Sequence, residues 1–250
     1  MIVLRPAMFP QDEVLAVLST RGEPGEAGVM GMNLSFNVGD DAGTVRRNRG
    51  LFFGGHGIGE NELAIPLQVH GDAVRHVNRA GEYPDTDGLV TSHPRVFLCI
   101  TFADCLPLLL FDPVTHSVAA LHAGWRGTAL NIVASGIKKL HQTFGSKPDD
   151  LLVYVGPGAG PCCYEIGEDV AHRFDAEFVR RGDKLTLDLK DALLAQLLEA
   201  GCRKDRVEIS SSCTIHELRY HSYRRDGSRS GRMMACIGLL RTGPKEPIPH

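Results

Sequence analysis

Residues Val96–Gly127 read VFLCITFADCLPLLLFDPVTHSVAALHAGWRG. Within them VFLCIT, LPLLLF and SVAALHA are short runs of leucine, phenylalanine and β-branched residues bounded by Pro, Asp and Gly. Runs of this length and composition predict strands rather than helices. GLVT, Gly88–Thr91, predicts another strand just upstream. Asp104 and Cys105 interrupt the apolar pattern between two of these runs, and His122 stands at the end of a third, 17 residues after Cys105.

Downstream, GTALNIVASGIKKLHQTFG (127–145) places Ala129, Ile132, Val133, Ile137, Leu140 and Phe144 at spacings of three and four. This predicts one amphipathic helix starting near Gly127 and closed by Gly145. LLVYVGPG (151–158) reads as a buried strand entering a glycine turn, VAHRFDAEFVRR (170–181) and DALLAQLLEAG (191–201) as helices, and VEIS and MMACIGLL as late strands. Upstream, RGEPGEAGVMG and FFGGHGIGE mark glycine-rich loops, with a short helix expected at VRRNRGLF (45–52). Strands and helices alternate too irregularly for a plain doubly wound sheet. The expected class is therefore α/β or α+β, with mixed sheets and helices packed outside.

No repeat, low-complexity linker or charge block divides the chain, so a single domain is expected over residues 1–240. The proline-bearing end, TGPKEPIPH, predicts a flexible tail at 241–250. A length of 250 residues with 43 % hydrophobic side chains is enough for a sizeable core. The balance of 27 basic and 30 acidic residues provides no global field to recruit nucleic acid or an anionic membrane, so an anionic ligand must be held locally. The seven cysteines are odd in number, the N-terminus does not read as a signal peptide, and no apolar run reaches the roughly 20 residues of a membrane span. A cytoplasmic protein, expected as a monomer, fits these observations.

His70 in IPLQVHGD, Cys105 in FADCLPL and His122 in VAALHAGWRG each end an apolar run. Two imidazoles and one thiolate form a zinc donor set, and three protein ligands leave a position for water or substrate. The same cysteine and His122, oriented by Asp104 or another polar group, also fit a nucleophile and base. A buried cysteine and a hydrogen-bonded core histidine are equally familiar. The residues alone leave all three readings open; His70 is useful only to the metal. Arg126 precedes the expected helix start, where an anion would be favoured. GPGAGPCCYEIG (156–167) lacks the lysine of a P-loop and the spacing of a dinucleotide fingerprint. No HExxH is present, no HxE with PCxxC, and none of the 11 histidines forms an HxH pair of the kind expected for copper clusters.

STRGEPG, MNLSFNVGDD, VRRNR, QVHGDAV, DGLVT, ADCLPLLLFD, HAGWRGT, GPGAGPCCYEIG, LDLKDALLAQL, SSCT, SYRRDG and SGRMMA occur in that order. On these motifs, over roughly residues 18–240, the chain resembles the laccase-domain or polyphenol oxidase family. Two loops depart from the pattern of many members: Glu23 follows Gly22 where a second glycine is usual, and Asn37 replaces a histidine before VGDD. The resemblance implies an α/β/β/α sandwich and one zinc per chain on His70, Cys105 and His122; no copper is expected, since the HxH pairs are absent. It also implies phosphate-dependent cleavage of adenosine, inosine, guanosine and methylthioadenosine, together with adenosine deamination. Two alternatives come with it: editing of peptidoglycan precursors, and a cysteine-dependent hydrolase chemistry on Cys105. Asp104 is expected to touch sugar or orient a histidine, Arg49 and Arg126 to meet phosphate, and Asn33 and Gln68 to meet ribose or base.

Overall fold

In the computed structural model, residues 3–22 and 30–240 are described, so the expected tail at 241–250 and much of the RGEPGEAGVMG loop lie outside the described residues. From the N-terminus come β1 (Val3–Leu4), β2 (Val14–Ser19), α1 (Ala42–Gly54), β3 (Leu63–Leu67), β4 (Val74–His76) and β5 (Gly81–Pro84). The apolar centre supplies β6 (Gly88–Thr91), β7 (Phe97–Phe102), β8 (Leu106–Asp112) and β9 (Ser117–Ala123), as the sequence predicts. Next are α2 (Trp125–Ala129), α3 (Ile132–Phe144), β10 (Leu152–Val155), α4 (Glu168–Ala171) and the hairpin β11 (Val179–Arg181) with β12 (Leu185–Leu187). The chain closes with α5 (Leu189–Glu199), β13 (Val207–Ile209), α6 (Tyr223–Asp226) and β14 (Met233–Leu239).

Two six-stranded sheets form, ordered β1-β2-β14-β7-β3-β5 and β13-β10-β8-β9-β6-β4. Both are mixed: β3 runs parallel to β7 and β5, for example, while β8 and β9 form an antiparallel hairpin. Alternation along the strands distributes side chains between three apolar layers. Leu98, Ile100 and Phe102 of β7 meet Leu109 and Phe111 of β8 and Val118 and Ala120 of β9 between the sheets. On the far side of the first sheet, Phe97, Cys99 and Met234 pack on Phe52 and Phe53 of α1. On the far side of the second, Leu108, Leu110 and Leu121 pack on Ile137 and Leu140 of α3 and Leu193 and Leu197 of α5. The result is a four-layer α/β/β/α arrangement. Covering both faces of β7, β8 and β9 explains why their sequences are continuously apolar. No helix among the described residues is long and apolar enough to cross a membrane.

The helix at VRRNRGLF is present and longer than expected, because the Asp41 carboxylate caps it by accepting from Thr44 N at 2.7 Å. Two expectations are corrected. The helix expected over 127–145 is two helices, broken at Asn131, whose backbone is left-handed (φ 61°) and whose side chain caps α3 through Ala134 N. VAHRFDAEFVRR is not a helix: only Glu168–Ala171 is α-helical, and Val179 pairs antiparallel with Leu187. Val170, Ala171, Phe174, Phe178 and Val179 still reach the same core cluster, so their burial does not require helical spacing.

His221, in the segment before α6, is 1 % exposed. Burial first, then the charges of Arg21 and Arg232, push its pKa down to about 3. In the unfolded chain a histidine titrates near ~6.5. Below that pH the unfolded state binds more protons, so the contribution is complete above ~6.5 and is lost as pH falls toward 3. Urea unfolding at pH 5 is expected to give roughly 2 kcal/mol less stability than at pH 7 from this group. His221→Gln should flatten that dependence by the same amount; an unchanged slope would show that His221 does not set it.

Candidate active site

Three strand ends converge. His70 follows β3 in a left-handed turn (φ 61°), Cys105 sits between β7 and β8 directly after the left-handed Asp104 (φ 89°), and His122 lies in the last turn of β9 opposite Pro107. The ligand-type atoms of His70, Cys105 and His122 all lie within 4.8 Å of one another. His70 is exposed, Cys105 half-buried and His122 buried, so the group is anchored inside and open at one edge. The imidazoles meet edge to face, with centroids 5.0 Å apart. Two non-glycine residues held at positive φ beside the reactive sulfur are the kind of backbone strain that collects at functional sites.

One buried carboxylate organises the group. Asp87, at the entrance to β6, accepts backbone N–H bonds from Val69 (3.1 Å), His70 (2.9 Å) and Gly71 (2.8 Å). Its Oδ1 also lies 2.8 Å from His122 Nδ1. It thereby shapes the QVHG turn and fixes the His122 ring, directing the other ring nitrogen to Cys105. Burial pushes Asp87 up, yet the hydrogen bond from His122 and those from the turn hold it below the usual carboxylate range. Burial likewise raises the Cys105 thiol, but the charge and hydrogen bond of His122 and those of His70 outweigh it and bring the thiol down. Burial opposes the His122 imidazolium; the Cys105 charge and the Asp87 hydrogen bond reverse that and raise it.

Glycines in HAGWRG permit the close approach. A Cβ at Gly124 would stand 2.9 Å from Cys105 Sγ and 3.4 Å from His70 Cδ2, and one at Gly127 would stand 2.7 Å from Gly71 O. The three residues open onto a cavity of about 610 Å³, in the range of small-molecule sites. Arg49, Arg126, Arg224 and Arg232 supply its positive wall, and Phe36, Trp125, Tyr164 and Tyr223 its aromatic one.

A profile of the family described as multi-copper polyphenol oxidoreductase laccase matches residues 16–240. The chain belongs to this family. Among its relatives, a protein of Deinococcus radiodurans named purine nucleoside phosphorylase is 39 % identical, over 84 % of this chain and 83 % of its own. Another of that name, from Bacteroides thetaiotaomicron, is 33 % identical, over 88 % and 89 %. The crystal structure of YlmD from Geobacillus stearothermophilus superposes with a TM-score of 0.86 at 31 % identity, covering 91 % of this chain and 92 % of that one.

In this laccase-family chain the residues expected from sequence to flank the triad have different fates. Asp104 lines the cavity but does not orient a histidine, a task Asp87 performs. Its oxygens instead accept from Thr214 Oγ1 and Arg224 N, both at 2.7 Å, tying the ADC loop to the SSCT and SYRRDG segments. Gln68 also lines the cavity, with its amide clipped to the Thr101 backbone: Nε2 donates to O at 2.9 Å and Oε1 accepts from N at 2.8 Å. Arg49 reaches the cavity with its Nε held on Leu34 O (2.8 Å) and its guanidinium over Phe36. Arg126 is exposed in the cavity wall, stacked 4.2 Å from the Trp125 ring centroid. It lies inside the five-residue helix α2 and not ahead of a long one, so the expected anion seat on a long helix's N-terminus is corrected.

Asn33 does not touch the cavity. It is fully buried, donating to Ser35 O and Asp40 and accepting from the Ser35 and Arg232 amides. The expected contact with ribose or base is therefore corrected: Asn33 ties the MNLSFNVGDD loop to the irregular segment just before β14. Asp87, Tyr164 and Arg232 escaped the sequence reading, although DGLVT, GPGAGPCCYEIG and SGRMMA contain them.

Proposed function

We propose that this chain is a zinc-dependent purine nucleoside phosphorylase acting on adenosine, inosine, guanosine and methylthioadenosine, with adenosine deamination at the same site. The observation carrying this reading is one cavity in which the Cys105 sulfur and two imidazoles face a wall of arginine and aromatic side chains. The names of the relatives at 33–39 % identity support it. His70, Cys105 and His122 match the donors zinc takes, and three protein ligands are the number found in catalytic zinc sites. Zinc held there supplies Lewis acidity and a water of lowered pKa.

The chain's own side chains account for the rest. Arg126 and Arg232 present guanidinium forks to the anionic co-substrate, phosphate, in a chain whose overall charge does nothing to attract it. Trp125 and Tyr223 offer flat apolar faces for a purine and exclude water from the sugar. Burial pushes the Tyr164 phenol up, so it stays neutral and offers a hydrogen bond, not a proton, from the cavity wall to the departing base. Asp104 holds the loop bearing Cys105 in register with this wall.

Arg126→Ala is expected to raise KM for phosphate about 10-fold or more and leave KM for inosine nearly unchanged, since a charge-assisted contact of roughly 1.5–3 kcal/mol is lost on the anion only. Deamination of adenosine, which needs water and no phosphate, should survive. Steady-state kinetics with each substrate varied in turn checks this; an equal rise in both constants would show that Arg126 does not seat the phosphate.

One observation favours a second reading. Cys105, His122 and Asp87 line up as nucleophile, base and orienting carboxylate, as in cysteine hydrolases. Against it stands His70, whose ring nitrogen lies within 4.8 Å of the same sulfur and for which such a triad has no use.

A further inference from the structure

Two cysteine-bearing motifs, GPGAGPCCYEIG and SSCT, take no direct part in the chemistry above. Their sulfurs nevertheless meet: the Sγ atoms of Cys162, Cys163 and Cys213 all lie within 4.8 Å of one another. The backbone is arranged to bring them together. Gly158 pairs with Cys213 in a parallel bridge, Thr214 N donates to Gly158 O at 3.0 Å, and Gly160 N donates to Cys213 Sγ at 3.2 Å. A Cβ at Gly160 would stand 3.2 Å from Cys213 Cβ and 3.4 Å from its Sγ, so the absence of a side chain lets this amide reach the sulfur. Glu217 holds the other side, accepting from Cys213 N at 3.0 Å while its own N–H donates back to Cys213 O at 2.9 Å. Cys163 Sγ lies 3.2 Å from Cys162 Sγ. Exposure increases from Cys213, buried, through Cys163 to Cys162, exposed, which gives an ion a path from solvent.

We infer that Cys162, Cys163 and Cys213 form a second cation site, a three-sulfur cup for a soft monovalent ion of the Cu(I) class. Thiolate donors select thiophilic ions such as Cu(I) and zinc. Among the described residues no further Cys, His, Asp or Glu joins this group, so its donors are sulfur alone, without the imidazoles present beside Cys105. The Lys190 ammonium is buried and fixed on Ser210 O and Ser212 O at 2.7 Å each; burial pushes its pKa down, and Cys213, Asp188, Glu217 and Cys162 act against that, so it is a cation shared between the cup and two carboxylates. The cup also adjoins the active-site wall: Tyr164 follows Cys163, and Thr214, which follows Cys213, holds Asp104. Occupancy therefore braces two segments that border the cavity.

The test uses the full-length protein, first loaded with zinc, then titrated anaerobically with Cu(I) in competition with bicinchoninate. The chain is expected to withhold one equivalent of Cu(I) without releasing zinc, with a sulfur-only shell in X-ray absorption. Cys162→Ser, at an exposed position that does not threaten folding, should lose that equivalent and keep its zinc, and Cys213→Ser should do the same. Retention of Cu(I) by Cys162→Ser as tightly as by the wild type would overturn the assignment, as would nitrogen in the copper shell or release of one zinc per copper bound. These readouts are independent of nucleoside turnover.

Discussion

Cys105→Ser is expected to purify folded, to lose most of its zinc, and to lose phosphorolysis by more than the roughly 10–100-fold typical when only an outer partner of a metal ligand is removed. A serine hydroxyl keeps nearly the shape of the thiol but is not a thiolate at neutral pH, so the donor with the strongest hold on zinc disappears. Folding should persist, because three apolar layers between and outside the sheets hold the chain without the metal. Metal analysis beside circular dichroism checks both halves. The same cysteine separates the two chemical readings. With zinc bound, alkylation of Cys105 should be slow, and it should accelerate after chelation, since a coordinated thiolate has its lone pair engaged. Rapid alkylation of zinc-loaded protein, with an acyl adduct trapped on Cys105, would favour the hydrolase.

The second large effect is expected at Asp87. Its carboxylate gathers three turn amides and His122 on two oxygens. Asp87→Asn leaves one oxygen and turns an NH2 donor toward groups that are themselves donors, so at least one buried amide loses its acceptor. Zinc affinity should fall roughly 10–100-fold, because the QVHG turn and the His122 tautomer are both released. Stability should fall by about 2–4 kcal/mol, the scale of a broken buried charged network. Competition with a zinc chelator and urea unfolding of the metal-free protein measure the two separately. A variant as tight and as stable as the wild type would show that this carboxylate does not organise the site.

Much of the centre of the molecule was legible in the sequence because both faces of β7, β8 and β9 are covered, which makes their runs continuous and the polar residues that end them conspicuous. His70, Cys105 and His122 stood out for that reason, and the structure brings them together. Asp87 did not, since an aspartate before a glycine reads as an ordinary turn former; its four partners are distant in sequence or belong to the backbone. Asn131 hid the break between α2 and α3, because the apolar spacing continues across it while the left-handed backbone does not. The hairpin β11–β12 was obscured because its apolar residues satisfy helical spacing as well as the core. Asn33 misled in the opposite direction: a polar residue in a family motif invites a ligand, and here backbone amides and Asp40 occupy it. The pairing of β14 with β2 and β7 joins segments far apart in sequence and has no local signature.

The most direct test is to incubate purified, zinc-loaded protein with inosine over a range of phosphate concentrations and measure hypoxanthine and ribose 1-phosphate. The account predicts that both products appear together, that their rate rises and saturates with phosphate, and that chelation of zinc stops it. No hypoxanthine at any phosphate concentration, from protein carrying its full complement of zinc, would contradict it.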